Sequence, residues 1–323
     1  PSSAAITIGS SVSLTASGAS TYSWSPSTGL SAANTAAVTA TPTTTTTYTV
    51  TGTSSFCSST STVTVTVNPA LTAGSISANQ TICVGAIPAA FTSTTDAAGG
   101  TGSITYVWES STDGTSFSLI SGVASSTYSP GAVSVNTYFR RGASTANDAI
   151  VYSSPVLITV QESLGGSIAG SATVCAGTNS TVLTLSGQTG SITKWQSSLT
   201  SNFASATDIS NTTASLTATN LSATTYYRAV ITLGSCTAVN SSTATISVTA
   251  LPSISVTPSS ASITTGSSVS LTASGATTYS WTPSTGLSAT NTAAVSASPT
   301  VTTTYTVTGT RSSCSSTATI TVT

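Results

Sequence analysis

The sequence has almost no charge and no histidine. Charged residues make up 3% of its 323 positions, and the net charge is −1. The whole basic complement is Arg140, Arg141, Lys194, Arg228 and Arg311. Because binding to nucleic acid requires clustered Lys and Arg to neutralise phosphates, nucleic acid is not expected as a partner. The six carboxylates are spread singly: Asp96, Glu109, Asp113, Asp148, Glu162 and Asp208. We therefore expect no catalytic site, no metal site and no cofactor.

Long apolar runs and methionine are also missing. The mean hydropathy is +0.30, but it arises from Ala, Val and the lack of charge, and no apolar run approaches the roughly 20 residues of a spanning helix. We expect no membrane insertion within this segment. Without methionine or a basic leader followed by an apolar stretch, the sequence is expected to be an internal or processed segment whose targeting signals lie elsewhere.

Apolar residues alternate with Ser and Thr along most of the chain. Val12, Leu14 and Ala16, for example, occupy every second position, which is typical of a strand with one buried face. No stretch shows the period of 3.6 expected for a helix, and β-branched Thr and Val favour strands. The sequence therefore predicts an all-β fold.

Residues 9–53 recur almost unchanged as residues 266–310. Among these 45 aligned pairs only six differ, and each difference exchanges small residues. The offset is 257 throughout, so Trp24, Tyr48 and Cys57 correspond to Trp281, Tyr305 and Cys314. Such periodicity is the mark of a repeat array. The chain comprises one full period and the first domain of the next.

Four copies of one motif predict four domains. Each has one Trp and, later, an aromatic anchor in a Thr-rich strand, and we assign these residues to the cores: Trp24 and Tyr48, Trp108 and Phe139, Trp195 and Tyr227, Trp281 and Tyr305. A ligand-stacking role is the alternative for these aromatics. The predicted domains are 1–68, 69–161, 162–250 and 251–323. A Trp in an early strand and a Tyr opening a late one fit tandem immunoglobulin-like β-sandwiches.

The spacing within the motif separates two domain types. The Trp and the second anchor are 24 residues apart in the first and fourth domains, which we call type a, and 31 or 32 apart in the second and third, which we call type b. The extra residues lie around Asp113-Gly114 and in the matching segment of the third domain. Because Asp-Gly favours a tight hairpin turn, type b is expected to carry an additional strand pair.

The five cysteines occupy two recurring positions. Nine residues after the second anchor stand Cys57, Asp148, Cys236 and Cys314, and two residues before an early glycine stand Thr7, Cys83, Cys175 and Thr264. Only the third domain has cysteine at both positions, so we predict a disulfide between Cys175 and Cys236, worth about 4 kcal/mol. Cys57 and Cys83 either form a bridge between neighbouring domains or remain free thiols.

Four segments carry a resemblance to a known group of proteins. SLTASGASTYSWSPSTGLS with PTTTTTYTVTGT, and TVCAGTNSTVLTLSG with TTYYRAVITLGSC, resemble the Ig-like and PKD-like repeats of Bacteroidota surface proteins. That group includes adhesins secreted by the type IX system, such as the SprB-type gliding-motility adhesins. The resemblance implies an extracellular, filamentous protein of the bacterial cell surface that contacts a substratum or a polysaccharide. It supplies no binding residues.

The function expected from the sequence is a structural and adhesive stalk, built as an elongated array of rigid sandwiches. Such a surface filament would serve cell adhesion or gliding motility through many weak contacts, and its low charge would permit lateral self-association into fibres. One alternative is an array of carbohydrate-binding modules, which would expose Tyr22, Tyr106, Tyr128 or Tyr152 together on one sheet face. Another is a passive spacer of a secreted multidomain enzyme.

Overall fold

A computed structural model describes residues 2–323 and contains 29 β-strands and no helix in that range. Nothing in this range forms a helix of the length and apolarity that crossing a membrane requires. The chain divides into two compact units with the boundary between Gln161 and Glu162. Each unit contains two β-sandwiches.

The first domain has six strands: β1 Ser3–Thr7, β2 Val12–Thr15, β3 Thr21–Ser25, β4 Ala37–Ala40, β5 Thr46–Ser54 and β6 Cys57–Asn68. One sheet has the order β1-β6-β5-β3, and β2 pairs with β4 in the other. The first strand runs parallel to the last, with Thr7 opposite Asn68, whereas the other pairs are antiparallel. Apolar residues at alternate positions of both sheets meet in one core.

The second domain has eight strands: β7 Ser75–Ile76, β8 Gln80–Cys83, β9 Ser93–Thr95, β10 Thr105–Ser111, β11 Ser118–Ile120, β12 Thr137–Ser144, β13 Val151–Tyr152 and β14 Val156–Gln161. Its large sheet has the order β11-β10-β12-β14-β8, and β13 also pairs with β12. Strand β8 is again parallel to the last strand. Phe91, Trp108 and Phe139 are buried at the centre of its core.

The third domain has nine strands: β15 Ser167–Ala169, β16 Ala172–Cys175, β17 Ser180–Ser186, β18 Ser191–Ser198, β19 Thr207–Ile209, β20 Ser215–Thr219, β21 Thr225–Thr232, β22 Val239–Asn240 and β23 Ala244–Thr249. The two sheets are β15-β17-β20 and β16-β23-β21-β18-β19. Strand β16 is parallel to β23, with Cys175 opposite Thr249.

The fourth domain has six strands: β24 Ser255–Thr257, β25 Val269–Ser274, β26 Thr278–Thr282, β27 Ala294–Ala297, β28 Thr303–Arg311 and β29 Cys314–Val322. Its sheets are β24-β25-β27 and β26-β28-β29. A parallel bridge joins Ala261 to Val322 at the position where the other domains have a first strand parallel to the last. The four domains thus share the arrangement of an immunoglobulin-like sandwich.

The core of every domain contains the same hydrogen bond. All eight aromatic residues assigned to the cores are at most 5% exposed. Each Trp indole N–H donates to a backbone carbonyl 11 to 18 residues later, at 2.9–3.0 Å, the acceptors being Thr35, Ser125, Thr213 and Thr292. A buried indole N–H without a partner would be costly. The bond therefore fixes each Trp against the segment leading into the opposite sheet.

An additional strand pair was predicted for each type b domain, and the structure has one additional strand in each at this place. Strand β11 pairs with β10, and β19 pairs with β18. The turn at Asp113 is wider than a two-residue hairpin: the Asp113 carboxylate accepts the backbone N–H groups of Thr115 and Ser116 and the Ser111 hydroxyl. These hydrogen bonds, led by that of Ser116, hold the pKa of Asp113 well below its usual range.

Candidate functional site

Within each unit, the two recurring cysteine positions meet at the joint between neighbouring domains. In the first unit these positions hold Thr7, at the end of β1, and Asp148, in the turn after β12. The Thr7 hydroxyl donates to Asp148 Oδ1 at 2.5 Å and lies 2.9 Å from the Thr101 hydroxyl. Asp148 Oδ2 accepts the Thr101 N–H and the Thr145 hydroxyl, both at 2.6 Å. One carboxylate therefore links the first domain to two loops of the second.

The electrostatics of this joint favour the ionised carboxylate. Hydrogen bonds from Thr145, Thr7 and the Thr101 backbone hold the pKa of Asp148 below its ordinary value, because each donates to the charged form. Thr7, Thr101 and Thr145 are buried, and Asp148 is half-buried. Charge-assisted hydrogen bonds in partly dry surroundings are stronger than neutral ones. The hydrogen bonds of this joint thus depend on the negative charge of Asp148.

The connecting segment of this joint packs directly on a glycine loop. The Gly100 N–H donates to the Pro69 carbonyl at 2.9 Å, and Leu71 is buried. At Gly99, where φ is +83°, an added Cβ would lie 2.3 Å from the Ala70 carbonyl oxygen. Only glycine allows the backbones to approach so closely. The linker backbone is therefore in close contact with the second domain at this joint.

In the second unit the same two positions are joined by a disulfide. Cys175, at the end of β16, is bonded to Cys314 at the start of β29, with 5.5 Å between their Cα atoms. Cys314 is 2% exposed. It follows a two-residue turn in which Ser312 and Ser313 both have positive φ, the geometry of a tight hairpin between β28 and β29. The bridge covalently ties the third domain to the fourth.

The predicted disulfide between Cys175 and Cys236 is therefore wrong, since Cys175 bonds to Cys314. The sheet topology explains the error. Cys175 lies beside Thr249, beyond the end of the sheet where β21 begins, whereas Cys236 follows the other end of β21. Eight residues of strand separate these ends by about 25 Å. A bridge within the domain would therefore exceed the permitted Cα separation.

The proposed pair Cys57 and Cys83 is also not formed. Cys57 is an exposed free thiol, and Cys83 is in disulfide form. Cys57 starts β6, and Asn68 at the other end of this 12-residue strand leads into the second domain. At roughly 3.3 Å per residue, Cys57 lies about 40 Å from that joint. It therefore lies at the end of β6 that is remote from the second domain.

The exposed sheet face of the second domain carries an arginine enclosed by aromatic rings. The Arg140 guanidinium lies 4.0 Å from the Phe117 ring centroid and 3.8 Å from that of Tyr152, and it pairs with Glu109 at 2.6 Å. The Tyr152 hydroxyl donates to Glu109 at 2.9 Å. In the third domain, the Arg228 guanidinium similarly lies 4.2 Å from the Phe203 ring centroid. A guanidinium group thus lies over one face of each of these three rings.

The four tyrosines that would mark a carbohydrate platform do not lie together. Tyr106 and Tyr128 pack against cores of the second domain. Tyr22 belongs to the first domain, where its hydroxyl is hydrogen-bonded to the backbone of Ala19. Of the four, only Tyr152 is exposed, and Arg140 covers its ring. The arrangement does not favour the carbohydrate-binding alternative.

One buried arginine was not predicted from the sequence. Arg141 is fully buried in the second domain, where it donates to the carbonyls of Ala73 and Ser126 at 2.7 and 2.9 Å and to the Ser93 hydroxyl. It thereby crosslinks both sheets. The signal was available, because Arg141 follows Phe139 by two residues and so shares its inward direction. As for other chemistry, no group of three or more His, Cys, Asp or Glu in residues 2–323 could hold a metal ion.

Known structures with similar folds are arrays of immunoglobulin domains. An I-band fragment of titin matches 77% of this chain and 95% of its own, with 12% identity and a TM-score of 0.43. The N-terminal eight Ig domains of Down Syndrome Cell Adhesion Molecule match 98% of this chain and 48% of theirs, with 9% identity and a TM-score of 0.34. Domains 1–4 of Sidekick-1 match 98% and 95%, with 10% identity and a TM-score of 0.26.

Sequence comparison gives a family but no characterised relative. No curated protein matches the sequence. The family described as "Domain of unknown function (DUF8696)" matches residues 72–162 and 164–250, which are the second and third domains and more than half of the chain. The chain therefore belongs to the DUF8696 family.

Proposed function

We propose that this chain is a tension-resisting segment of an extracellular structural or adhesive stalk. The observation that carries the proposal is the Cys175–Cys314 disulfide, because it joins two neighbouring domains. A force applied along the chain enters the third domain before Cys175 and leaves the fourth after Cys314. Residues 176–313 are then outside the covalent path of the force. The bridge therefore limits how far residues 176–313 can be extended while the stalk is under tension.

The joint of the first unit supports the same tension-resisting function, but with hydrogen bonds in place of a disulfide. It uses the Thr7–Asp148 hydrogen bond at the positions where the second unit has its disulfide. The fitted Gly99 loop further limits movement of the linker. A series of joints of this kind would transmit orientation from one sandwich to the next, as a stalk requires. Disulfides persist in oxidising surroundings, which supports an extracellular location.

The finer part of the proposal rests on the resemblance to Bacteroidota repeats. The stalk would belong to a type IX-secreted adhesin of the bacterial cell surface, would contact a substratum or polysaccharide, and would serve adhesion or gliding motility. The low charge would allow parallel fibres to associate laterally. A purified segment that stays monomeric at high concentration would argue against this association.

The tension-resisting role can be tested by pulling single molecules from their two ends. Cys175 and Cys314 are 139 residues apart, and an extended chain spans about 3.6 Å per residue. The oxidised protein should therefore release at least about 500 Å less contour length than the reduced protein. The oxidised Cys314→Ser variant should release more contour length than the oxidised unmodified protein, whereas Cys57→Ser should behave like the unmodified chain. Equal contour lengths with and without reductant would refute the role.

A further inference from the structure

The first domain has an open groove beside the edge of β2. Its volume is about 520 Å³, and its walls include Ala16, Gly18, Tyr22, Val50 and Gly52. At Gly18, where φ is +92°, no atom lies within 4 Å of an added Cβ. The backbone of β2 pairs on one side only, with β4. The groove thus combines a lining of mixed polarity, which also includes Thr15, Ser17 and Thr60, with an unpaired strand edge.

The fourth domain fills the equivalent space with a strand of its own. There β24 pairs with β25, and Ile254 and Val256 pack against the core. Its Ile254 Cδ1 lies 2.3 Å from the Cβ position of Gly309, which corresponds to Gly52. The difference in burial is clear for identical residues. Ala273 and Val307 are 3% and 0% exposed, whereas their counterparts in the first domain are only partly buried.

A second, independent feature of the first domain points to the same occupant. Cys57 follows a two-residue turn at Ser55 and Phe56, both with positive φ, and the strand register matches that of the turn before Cys314. The hairpin between β5 and β6 therefore places Cys57 at the position that the hairpin between β28 and β29 gives to Cys314. In the fourth domain this cysteine is buried in its bond to Cys175. In the first it is an exposed thiol, next to a Phe56 side chain that is 107% exposed.

We propose that the first domain is a two-part acceptor for a domain of the third domain's type. The groove accepts the segment that trails such a domain, with the sequence of residues 251–257, as an added strand on β2. Cys57 accepts, as a disulfide, the cysteine that stands at the position of Cys175. The occupant is a copy of residues 162–257 joined directly ahead of Pro1. The junction is compatible, since residues 1–4 and 258–261 both read Pro-Ser-Ser-Ala.

The covalent step is an oxidation of two thiols by an external disulfide. Cys57 and the incoming cysteine each give up one proton and one electron to form the new S–S bond. One molecule of oxidised glutathione takes up both protons and both electrons, and it leaves as two molecules of the reduced thiol. The folded groove holds the two cysteines together, so that exchange through a mixed disulfide is favoured over release.

The groove is tested by adding only the sequence of residues 251–257 ahead of Pro1. Strand alternation directs the N–H groups of Thr15 and Ser17 to the open edge, since Ala16 N–H donates to Ala36 on the other side. We expect hydrogen exchange at Thr15 and Ser17 to slow at least tenfold. The control extension carries Ser in place of the copies of Ile254 and Val256. Unchanged exchange with the first extension, or equal slowing with the control, would overturn the strand half of the proposal.

The cysteine is tested with the longer extension, residues 162–257, in which the copy of Cys236 is changed to Ser. After refolding with oxidised and reduced glutathione, titration in denaturant should find no free thiol. Peptide mapping should find Cys57 linked to the added copy of Cys175. The matched variant Cys57→Ser should show one free thiol. Two free thiols in the extended chain with Cys57 intact, or another partner for Cys57, would overturn the covalent half, and the shorter extension tests the groove independently.

Discussion

Removal of the inter-domain disulfide should destabilise the fourth domain and leave its near-identical copy, the first domain, unchanged. The perturbation is Cys314→Ser. The folded third domain holds Cys175 opposite Thr249, so unfolding of the fourth domain alone is restrained by a loop from Thr249 to Cys314. That loop spans 65 residues. In the chain-entropy model, closing it stabilises the fourth domain by about 4 kcal/mol.

The assay is native-state hydrogen exchange with mass spectrometry in increasing urea. Residues 46–53 and 303–310 are identical, so the two copies are resolved with peptides that extend to Ser54 or Arg311 and therefore differ in mass. In the oxidised protein, opening of β28 should cost about 4 kcal/mol more than in Cys314→Ser. The matched variant Cys57→Ser should change the opening of β5 by less than about 0.5 kcal/mol, since Cys57 is exposed and unbonded.

A change below about 1 kcal/mol in β28 would refute the reasoning, because the linker alone would then restrain the fourth domain as well as the bridge does. An equal loss in β5 and β28 after Cys314→Ser would refute it too. That result would mean that the variant acts on the whole chain and not through the joint.

Three further predictions follow from the joints and the buried arginine. Gly275→Ala should destabilise the fourth domain more than Gly18→Ala destabilises the first, as measured by urea unfolding, because both have positive φ but only Gly275 would place a Cβ 1.8 Å from the Ser253 carbonyl oxygen; equal losses would contradict this. Arg141→Met should cost the second domain about 2–4 kcal/mol in urea unfolding, since two buried carbonyls lose their donors, and a neutral effect would be contrary evidence. The Asp148 joint should be at full strength above the ordinary carboxyl pKa of 3.8 and be lost as the pH falls through the lowered value. Hydrogen exchange in the first domain should become faster as the joint is lost. In the Asp148→Asn variant this pH dependence should be absent.

The sequence predicted the strands and cores well because these depend on local patterns. Alternation located the strands, and the Trp and Tyr anchors located residues that are buried in every domain. The two cysteine positions were also aligned correctly between domains, since Thr7, Cys83 and Cys175 all end the strand that runs parallel to the last one. Nothing in that alignment shows the direction in which each position faces.

The pairing of the cysteines was missed because it depends on topology. The third domain has cysteine at both recurring positions, which suggested a bridge within it. In the structure, Cys175 and Cys236 lie at opposite ends of the sheet. A signal was present in the first unit, where Thr7 and Asp148 replace cysteine at complementary positions of neighbouring domains. A hydroxyl facing a carboxylate can replace a disulfide only if the two positions meet, and here they do.

Within each unit, the disulfide or the Thr7–Asp148 hydrogen bond ties neighbouring domains at these positions, and not strands within one domain. Mapping of the oxidised protein after cleavage at aromatic residues tests this arrangement most directly, because Tyr152, Trp195, Tyr227, Tyr279 and Tyr305 place Cys175, Cys236 and Cys314 in three different fragments. The fragment containing Cys175 should be linked to the C-terminal fragment containing Cys314. A link between the fragments containing Cys175 and Cys236 would contradict it.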